Sequence, residues 1–202
     1  MNANETRPVP TTRAVAAPGT TGAASALRAF GWVLAVIGGG LLIALSAQVK
    51  LPLPGTPVPM TLQTLAVLMA ALTLGPRLGT LAVGFYLALG LTGWGVFALG
   101  TWATAGYLAA FLLVPTLVNA VAPTGRRSAG RLAAALVLAN VAIFGLGAAM
   151  LACSLNLIDH RAASLAFVLQ LGVWSFLPGN VIQSVLAALL SGVIDRGRRA
   201  LS

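Results

Sequence analysis

A proline-rich segment, residues 51–64, most constrains how this chain can fold. It reads Leu-Pro-Leu-Pro-Gly-Thr-Pro-Val-Pro-Met-Thr-Leu-Gln-Thr and places four prolines within eight residues. Each proline fixes φ, lacks a donor N–H and pushes the preceding residue out of the α region. The segment therefore cannot be helical, although long apolar runs lie on both sides of it.

The composition identifies an integral membrane protein. Of the 202 residues, 58% are hydrophobic and 7% are charged, whereas about 25% of the residues of a soluble domain are charged. Non-helical backbone at membrane depth is tolerated only where protein or a water-filled cavity covers it. The proline-rich segment is thus either a surface loop at a membrane face or a loop over a cavity, and a cavity would make it part of a ligand site.

The charged residues divide the chain into apolar intervals that predict six membrane-spanning helices. The charge-free intervals are 29–49, 51–76, 78–125, 132–158 and 162–194. One span takes about 20 residues, so the third interval holds two spans joined by a loop rich in glycine and aromatic residues. The predicted spans are 29–48, 60–75, 77–92, 104–122, 131–152 and 178–195.

The basic residues predict that both termini are cytoplasmic. Six spans leave two of the twelve basic residues outside, Lys50 and Arg161, and ten inside, as the positive-inside rule requires. The ten are Arg7, Arg13, Arg28, Arg77, Arg126, Arg127, Arg131, Arg196, Arg198 and Arg199. We therefore predict a multi-pass, all-α protein of the cell membrane, with a disordered tail at 1–27, a six-span domain at 28–196 and a basic cytoplasmic tail at 197–202.

The residue types present argue against an enzyme on chemical grounds. The chain has three acidic residues, one histidine and one cysteine, which is too little for paired carboxylates or a Ser-His-acid set inside the spans. Its single lysine, Lys50, precedes Leu51, so the P-loop pattern cannot occur. We expect no catalytic residue, metal or cofactor. Arginines that flank apolar spans indicate contact with the lipid bilayer and not with nucleic acid.

Polar and aromatic residues in or near the spans are the candidate ligand contacts. Asn140 lies in the fifth predicted span, and Asn180 and Gln183 lie on the most polar helical face of the chain. Polar side chains in spans face the protein interior, so each is either an interhelical hydrogen-bond partner or a ligand contact. Trp94 and Phe97, in the predicted outer loop, are either interfacial anchors or a wall over a ligand.

Three further features bear on ligand binding and helix packing. Residues 176–180, Phe-Leu-Pro-Gly-Asn, predict a new helix whose free N–H groups suit an anionic or carbonyl-bearing ligand, and Tyr107 opens the fourth span facing either inward or outward. In the first span, Gly40, Ala44 and Ala47 recur at helical spacing. Small residues allow close helix approach, either within this chain or to a separate membrane subunit.

Residues 49–64 and 74–79, the latter reading Leu-Gly-Pro-Arg-Leu-Gly, closely resemble the BioY family, the substrate-binding S components of energy-coupling factor (ECF) biotin transporters. Residues 176–179 match as well, and the resemblance covers about residues 30–195. It implies a six-helix transmembrane bundle of ECF S-component type, with the proline-rich loop over a biotin cavity near the outer face. It also implies a transmembrane coupling protein and two ATPases as partners, with Gly40, Ala44 and Ala47 as the candidate coupling surface.

Three regions depart from the family pattern. The last-helix signature L-P-G-D-x-x-K reads Leu-Pro-Gly-Asn-Val-Ile-Gln at 177–183, Asn140 stands where a histidine is usual, and G-P-T-G-G-Y is reduced at 101–107. The resemblance implies a site whose aspartate suits a ureido N–H and whose lysine suits a carboxylate, and both are neutral amides here. The candidate substrate-binding residues are Thr56, Gln63, Trp94, Phe97, Tyr107, Asn140, Asn180 and Gln183.

Replacing two charge-assisted hydrogen bonds by neutral ones weakens biotin binding by about 30- to 1,000-fold, at about 1–2 kcal/mol each. We therefore expect a BioY-like component that binds biotin weakly, or binds a neutral or differently charged relative. The alternatives are an S component for another small solute and a degenerate membrane interaction protein that transports nothing.

Overall fold

The described residues form six α-helices that follow one another along the chain. The computed structural model describes residues 20–53, 59–93, 95, 97, 102–125, 127–158, 160 and 162–200. The helices are α1 (Thr20–Gln48), α2 (Gln63–Leu91), α3 (Trp102–Val121), α4 (Ala129–Cys153), α5 (Leu165–Leu169) and α6 (Leu177–Ala200). Two π-helical segments, Ser154–Ile158 and Gln170–Trp174, extend α4 and α5.

Five helical stretches of the described chain are long and apolar enough to cross a membrane. Helices α3 and α4 begin and end within two residues of the predicted spans. The spans predicted at 60–75 and 77–92 fall instead in one helical stretch, α2. The structure therefore confirms an all-helical chain with multiple candidate spans. It has one candidate span fewer than the six predicted, because two of the predicted spans fall within α2.

Helix α2 is broken at Gly75. Its φ of 79° and ψ of −173° lie in a region that only glycine adopts readily, and the ring of Pro76 cannot continue the preceding helix. The Gln63 side-chain amide donates to the Tyr86 hydroxyl at 2.5 Å, although these residues would lie about 35 Å apart along a straight helix. The two halves of α2 therefore lie side by side and antiparallel.

The main core lies between both halves of α2, α3 and α4. Its buried members include Leu68, Leu72, Val83, Val114 and Ile143. Helix α1 packs on α2 from outside, and large apolar side chains such as those of Leu34 and Leu45 remain exposed on it. Exposed apolar surface of this kind suits contact with lipid tails.

Gly40, Ala44 and Ala47 of α1 are buried and do not lie on an open surface. A Cβ atom at Gly40 would lie 2.6 Å from Phe85 Cδ1 and 2.8 Å from the Ala82 carbonyl oxygen. Ala44 and Ala47 are buried. In this structure the spacing serves packing within the chain, and the coupling surface stays a prediction.

The helices extend further toward both chain ends than the sequence predicted. Residues 20–27, predicted as part of a disordered tail, belong to α1, and residues 197–200 of the predicted basic tail belong to α6. Residues 23–27 read Ala-Ala-Ser-Ala-Leu and are mostly good helix formers. Lengthening an existing helix also avoids the cost of nucleation.

Arg127 joins three segments at one end of the bundle. We call this end, where Arg127, Arg196 and Arg198 lie, the basic end. Arg127 Nη2 donates to the Leu72 carbonyl at 2.6 Å and its Nε donates to the Ala122 carbonyl at 3.3 Å. Its Nη1 lies 3.6 Å from Asp195 Oδ2, and the side chain is 7% exposed. Because Leu72 is close to the break at Gly75, its carbonyl has lost its helical partner, and the arginine replaces that partner. Burial lowers the pKa of Arg127, and the Asp195 carboxylate opposes that shift.

We expect Arg127→Ala to lower the free energy of unfolding by about 1–3 kcal/mol, because buried carbonyls and Asp195 lose their partner. Arg131→Ala is the matched control, since Arg131 is an exposed arginine four residues later, in the first turn of α4, and it should change stability by less than about 0.5 kcal/mol. Denaturation of the two purified variants and the wild-type protein measures the changes in the free energy of unfolding. Equal losses for the two variants would contradict the role given to Arg127.

Candidate ligand-binding site

A cavity of about 110 Å³ lies at the end of the bundle opposite the basic end. The proline-rich segment, the first turns of α2, α3 and α6, the middle of α4 and the π-helical segment after α5 all contribute to its wall. The lining residues are Pro59, Met60, Thr61, Gln63, Thr64, Phe97, Thr104, Tyr107, Leu108, Phe111, Ile143, Phe144, Leu151, Leu171, Gly172, Phe176 and Asn180.

The proline-rich segment closes one side of this cavity. Its two ends pair as antiparallel strands, β1 (Lys50–Leu51) and β2 (Met60–Thr61). Residues 54–58, which include the candidate Thr56, lie outside the described residues. Pro59 and β2 line the cavity, so the described end of the segment is part of the wall.

Gln183 fastens the proline-rich segment to α6. Its Oε1 accepts from the Leu65 backbone N–H at 2.8 Å, and its Nε2 donates to the Thr61 carbonyl at 3.0 Å. First-turn N–H groups have no partner within their own helix, and the N-cap residue Leu62 supplies no side-chain acceptor. Gln183 is 2% exposed and is not among the lining residues. Gln183, which we predicted as a ligand contact, thus lies behind the wall of this cavity in the structure.

Two side-chain amides do line the cavity. The Gln63 amide accepts from Thr61 Oγ1 at 3.0 Å and donates to the Tyr86 hydroxyl, which fixes its orientation. Asn180 is 5% exposed, and its side chain makes no hydrogen bond to any other described residue. The backbone N–H of Asn180 is bonded to the Phe176 carbonyl at 2.9 Å. At the start of α6 the Asn180 side chain is therefore available to a ligand, whereas its own backbone N–H is already bonded.

Aromatic rings complete the wall. The Tyr107 hydroxyl donates to the Gly172 carbonyl at 2.7 Å, and its ring lies against Gly147 of α4, where a Cβ atom would overlap it. The Phe97 ring meets the Tyr86 ring edge to face, with centroids 5.7 Å apart and an interplanar angle of 78°. Tyr107 therefore faces inward, and Phe97 is a wall residue and not an exposed anchor.

Asn140 lies on a different surface. Its Nδ2 donates to the Leu136 carbonyl at 2.8 Å and to Ser184 Oγ at 2.9 Å, and it borders a groove between α4 and α6.

Trp94, the remaining predicted contact, lies outside the described residues. Of the predicted contacts, the structure brings together Gln63, Phe97, Tyr107 and Asn180.

Several lining residues were missed by the sequence analysis. Phe111 lies one helical turn after Tyr107 and Thr104 lies one turn before it, so helical spacing from Tyr107 could have found both. Phe144 and Phe176 come from elements far from each other in sequence. No local pattern distinguishes such residues from lipid-facing phenylalanines.

The cavity is neutral in its described part. None of the lining residues carries a formal charge, and the polar ones are threonines, the two amides and Tyr107. An ionised group buried without a partner is strongly unfavourable. This lining therefore suits an uncharged, amide-like group better than an isolated carboxylate. Among the described residues, no group of three His, Cys, Asp or Glu could hold a metal ion.

Comparison with known proteins gives one consistent family. The BioY family matches residues 19–200. The protein named biotin transporter BioY of Rhizobium etli is 32% identical over 180 residues, which cover 82% of this chain and 92% of that protein. The biotin transporter BioY of Thermotoga maritima is 33% identical over 160 residues, covering 74% and 87%.

A solved structure has the same fold. It is the crystal structure of the S-component for biotin from an ECF-type ABC transporter, and it matches with a TM-score of 0.68 at 24% identity. The match covers 86% of this chain and 93% of that chain. At this identity the likeness establishes the fold alone.

We expect Gln183→Leu to lower the free energy of unfolding by about 1–3 kcal/mol, because the Leu65 N–H and the Thr61 carbonyl lose their partner. Asn180→Leu, one helical turn earlier, should be neutral or stabilising, since a buried amide without a partner is replaced by an apolar group. Thermal denaturation compares the two variants. A loss for Asn180→Leu as large as that for Gln183→Leu would contradict the assignment of the two amides.

Proposed function

The chain belongs to the BioY family, and we propose that it is the membrane-embedded solute-binding component of an uptake transporter for biotin or a biotin-like vitamin. The observation that carries this proposal is the cavity that joins Gln63, Tyr107 and Asn180 beside the proline-rich segment. Two relatives named as biotin transporters align along 92% and 87% of their lengths. Since these relatives are transporters, the chain is not an enzyme.

The proposed topology has six spans and both termini on the cytoplasmic side of the cell membrane. The break at Gly75 and the bond between Gln63 and Tyr86 support counting α2 as two spans. With six spans, the same side of the membrane holds Arg77, Arg127 and the arginines near the end of α6, as the positive-inside rule favours. The cavity then lies near the outer face, where a solute arrives.

The proposed recognition pairs amides with the ureido ring of biotin, which has two N–H donors and one carbonyl acceptor. The Asn180 amide offers one acceptor and two donors, and it is not engaged by other described side chains. Tyr107, Phe111 and Phe144 supply apolar surface for the sulfur-containing ring and the aliphatic chain. The cavity is smaller than the usual 300–1,000 Å³ or so of small-molecule sites, so we expect its wall to move outward on binding.

An uncharged relative of biotin is the second candidate solute. The observation that favours it is the neutral lining, which includes Asn180 where the family pattern has an aspartate. Among the described residues, the basic side chain near this end of the bundle is that of Lys50, which is exposed on β1. A biotin carboxylate would need such a cation as a partner, whereas an ester or amide needs none.

Energy for transport must come from partners, because the chain's single lysine excludes a P-loop. We propose an ECF transmembrane coupling protein with two ATPases. Docking through Gly40 and its neighbours would require α1 to separate from α2, which covers them. Docking on the opposite side of α1 would not, since Leu34, Leu41 and Leu45 are exposed there.

Calorimetric titration with biotin and with biotin methyl ester tests the solute. We expect both to bind, and the ester to bind at least as tightly, because the described lining offers amides for the ring and no cation for the carboxylate. Absence of binding for both at high micromolar concentration would exclude biotin and leave an S component for another solute or a non-transporting interaction protein. Co-purification of a coupling protein and ATPases would then separate those two alternatives.

We expect Gly147→Ala to weaken biotin binding by at least about tenfold, which corresponds to about 1.4 kcal/mol. The new Cβ atom would occupy the position of the Tyr107 ring and push it into the cavity. Gly145→Ala is the matched control in the same helix, because a Cβ atom there has no heavy atom within 4 Å. Equal affinities for two equally stable variants would show that the solute binds elsewhere.

A further inference from the structure

A second concavity, which we call the α4–α6 groove, runs along the outside of the bundle between these two helices. Its volume is about 790 Å³, and its α4 wall extends from Ala129 to Ala148. Its only polar side chains, Asn140 and Ser184, bond to each other. The groove therefore presents a continuous apolar surface that no described part of the chain covers.

At the basic end the groove continues into a polar mouth of about 300 Å³. Leu132, Ala188 and Leu189 line both spaces. Two arginines line the mouth: Arg127, which is paired with Asp195, and Arg196, which is exposed and forms no hydrogen bond or ion pair within the described part of the chain. One cation at the mouth is thus available to an anion from outside.

We propose that the α4–α6 groove binds an anionic phospholipid of the surrounding bilayer. One acyl chain lies along the apolar walls, and the headgroup phosphate lies at the mouth against Arg196. Guanidinium groups bind phosphate oxygens in pairs of charge-assisted hydrogen bonds, and basic pockets between spans on the cytoplasmic side suit anionic headgroups. The N-terminus of α4, which starts at Ala129 beside the groove, adds a positive dipole end.

The length of the groove and the net positive charge of the chain both favour a lipid over a second copy of the chain as the occupant. From Ala129 to Asn140 the helix rises about 16 Å, which is about half of the roughly 30 Å hydrocarbon thickness. An acyl chain anchored at the mouth therefore reaches to the bonded Asn140–Ser184 pair. A second copy in the groove would bring its own arginines to the same depth, in a chain that already carries a net charge of +9.

Native mass spectrometry of the delipidated full chain, titrated with phosphatidylglycerol or phosphatidylcholine, tests the proposal. We expect phosphatidylglycerol to bind at least about fivefold more tightly, the ratio expected for one arginine at a membrane surface. Arg196→Gln should remove this preference. Arg77→Gln, an exposed arginine of the same end that does not line the mouth, should keep it.

A second variant pair tests the groove itself. Gly192 lines the mouth, and a Cβ atom there has no heavy atom within 4 Å, so the position accepts a side chain and Gly192→Leu should obstruct the mouth and lower binding of phosphatidylglycerol. Gly38→Leu, an equally open position on α1, is the control and should not. Equal affinity for both lipids, or equal binding by the two leucine variants, would overturn the proposal. A wild-type dimer that Gly192→Leu converts to monomer would also overturn it, because the occupant would then be a second copy.

Discussion

The two hydrogen bonds of the Gln183 side-chain amide hold together the parts of the chain that form the cavity. Inside a membrane, backbone that is not helical needs partners from the protein itself, and the proline-rich segment before α2 is such a backbone. Gln183 satisfies the Leu65 N–H and the Thr61 carbonyl from α6, 118 and 122 residues away in sequence. One neutral amide therefore caps a helix, anchors a loop and closes the wall of a solute site.

The reversal at Gly75 supplies the opposite side of the same site. It returns the chain so that Tyr86 lies beside Gln63, and the loop that follows α2 then brings Phe97 onto Tyr86. The Tyr107 ring can lie flat against α4 because residue 147 is a glycine. The cavity thus depends on contacts between elements that are distant in sequence, and its described lining remains uncharged. That neutrality is the property in which the site departs from the family signature.

The sequence alone predicted the membrane class, the bounds of α3 and α4 and the family, because composition, charge spacing and the proline-rich segment are local signals. It could not decide between Asn180 and Gln183, which share one helical face. Only the first faces the cavity, because the second has a backbone partner far away in the chain. Gly40 posed the same difficulty, since small residues at helical spacing suit internal and external packing equally. For Asn140 the sequence left a helix contact and a ligand contact open, and only the fold shows that its side chain donates to Ser184.

We propose above all that the solute binds to the Asn180 amide, while the Gln183 side chain keeps its structural hydrogen bonds behind the wall. A structure of the protein with biotin bound tests this most directly. The predicted result is a ureido ring within hydrogen-bond distance of the Asn180 side chain, with Gln183 still bonded to Leu65 and Thr61. A ligand in contact with Asn140, or a Gln183 side chain turned into the cavity to meet the ligand, would contradict the claim.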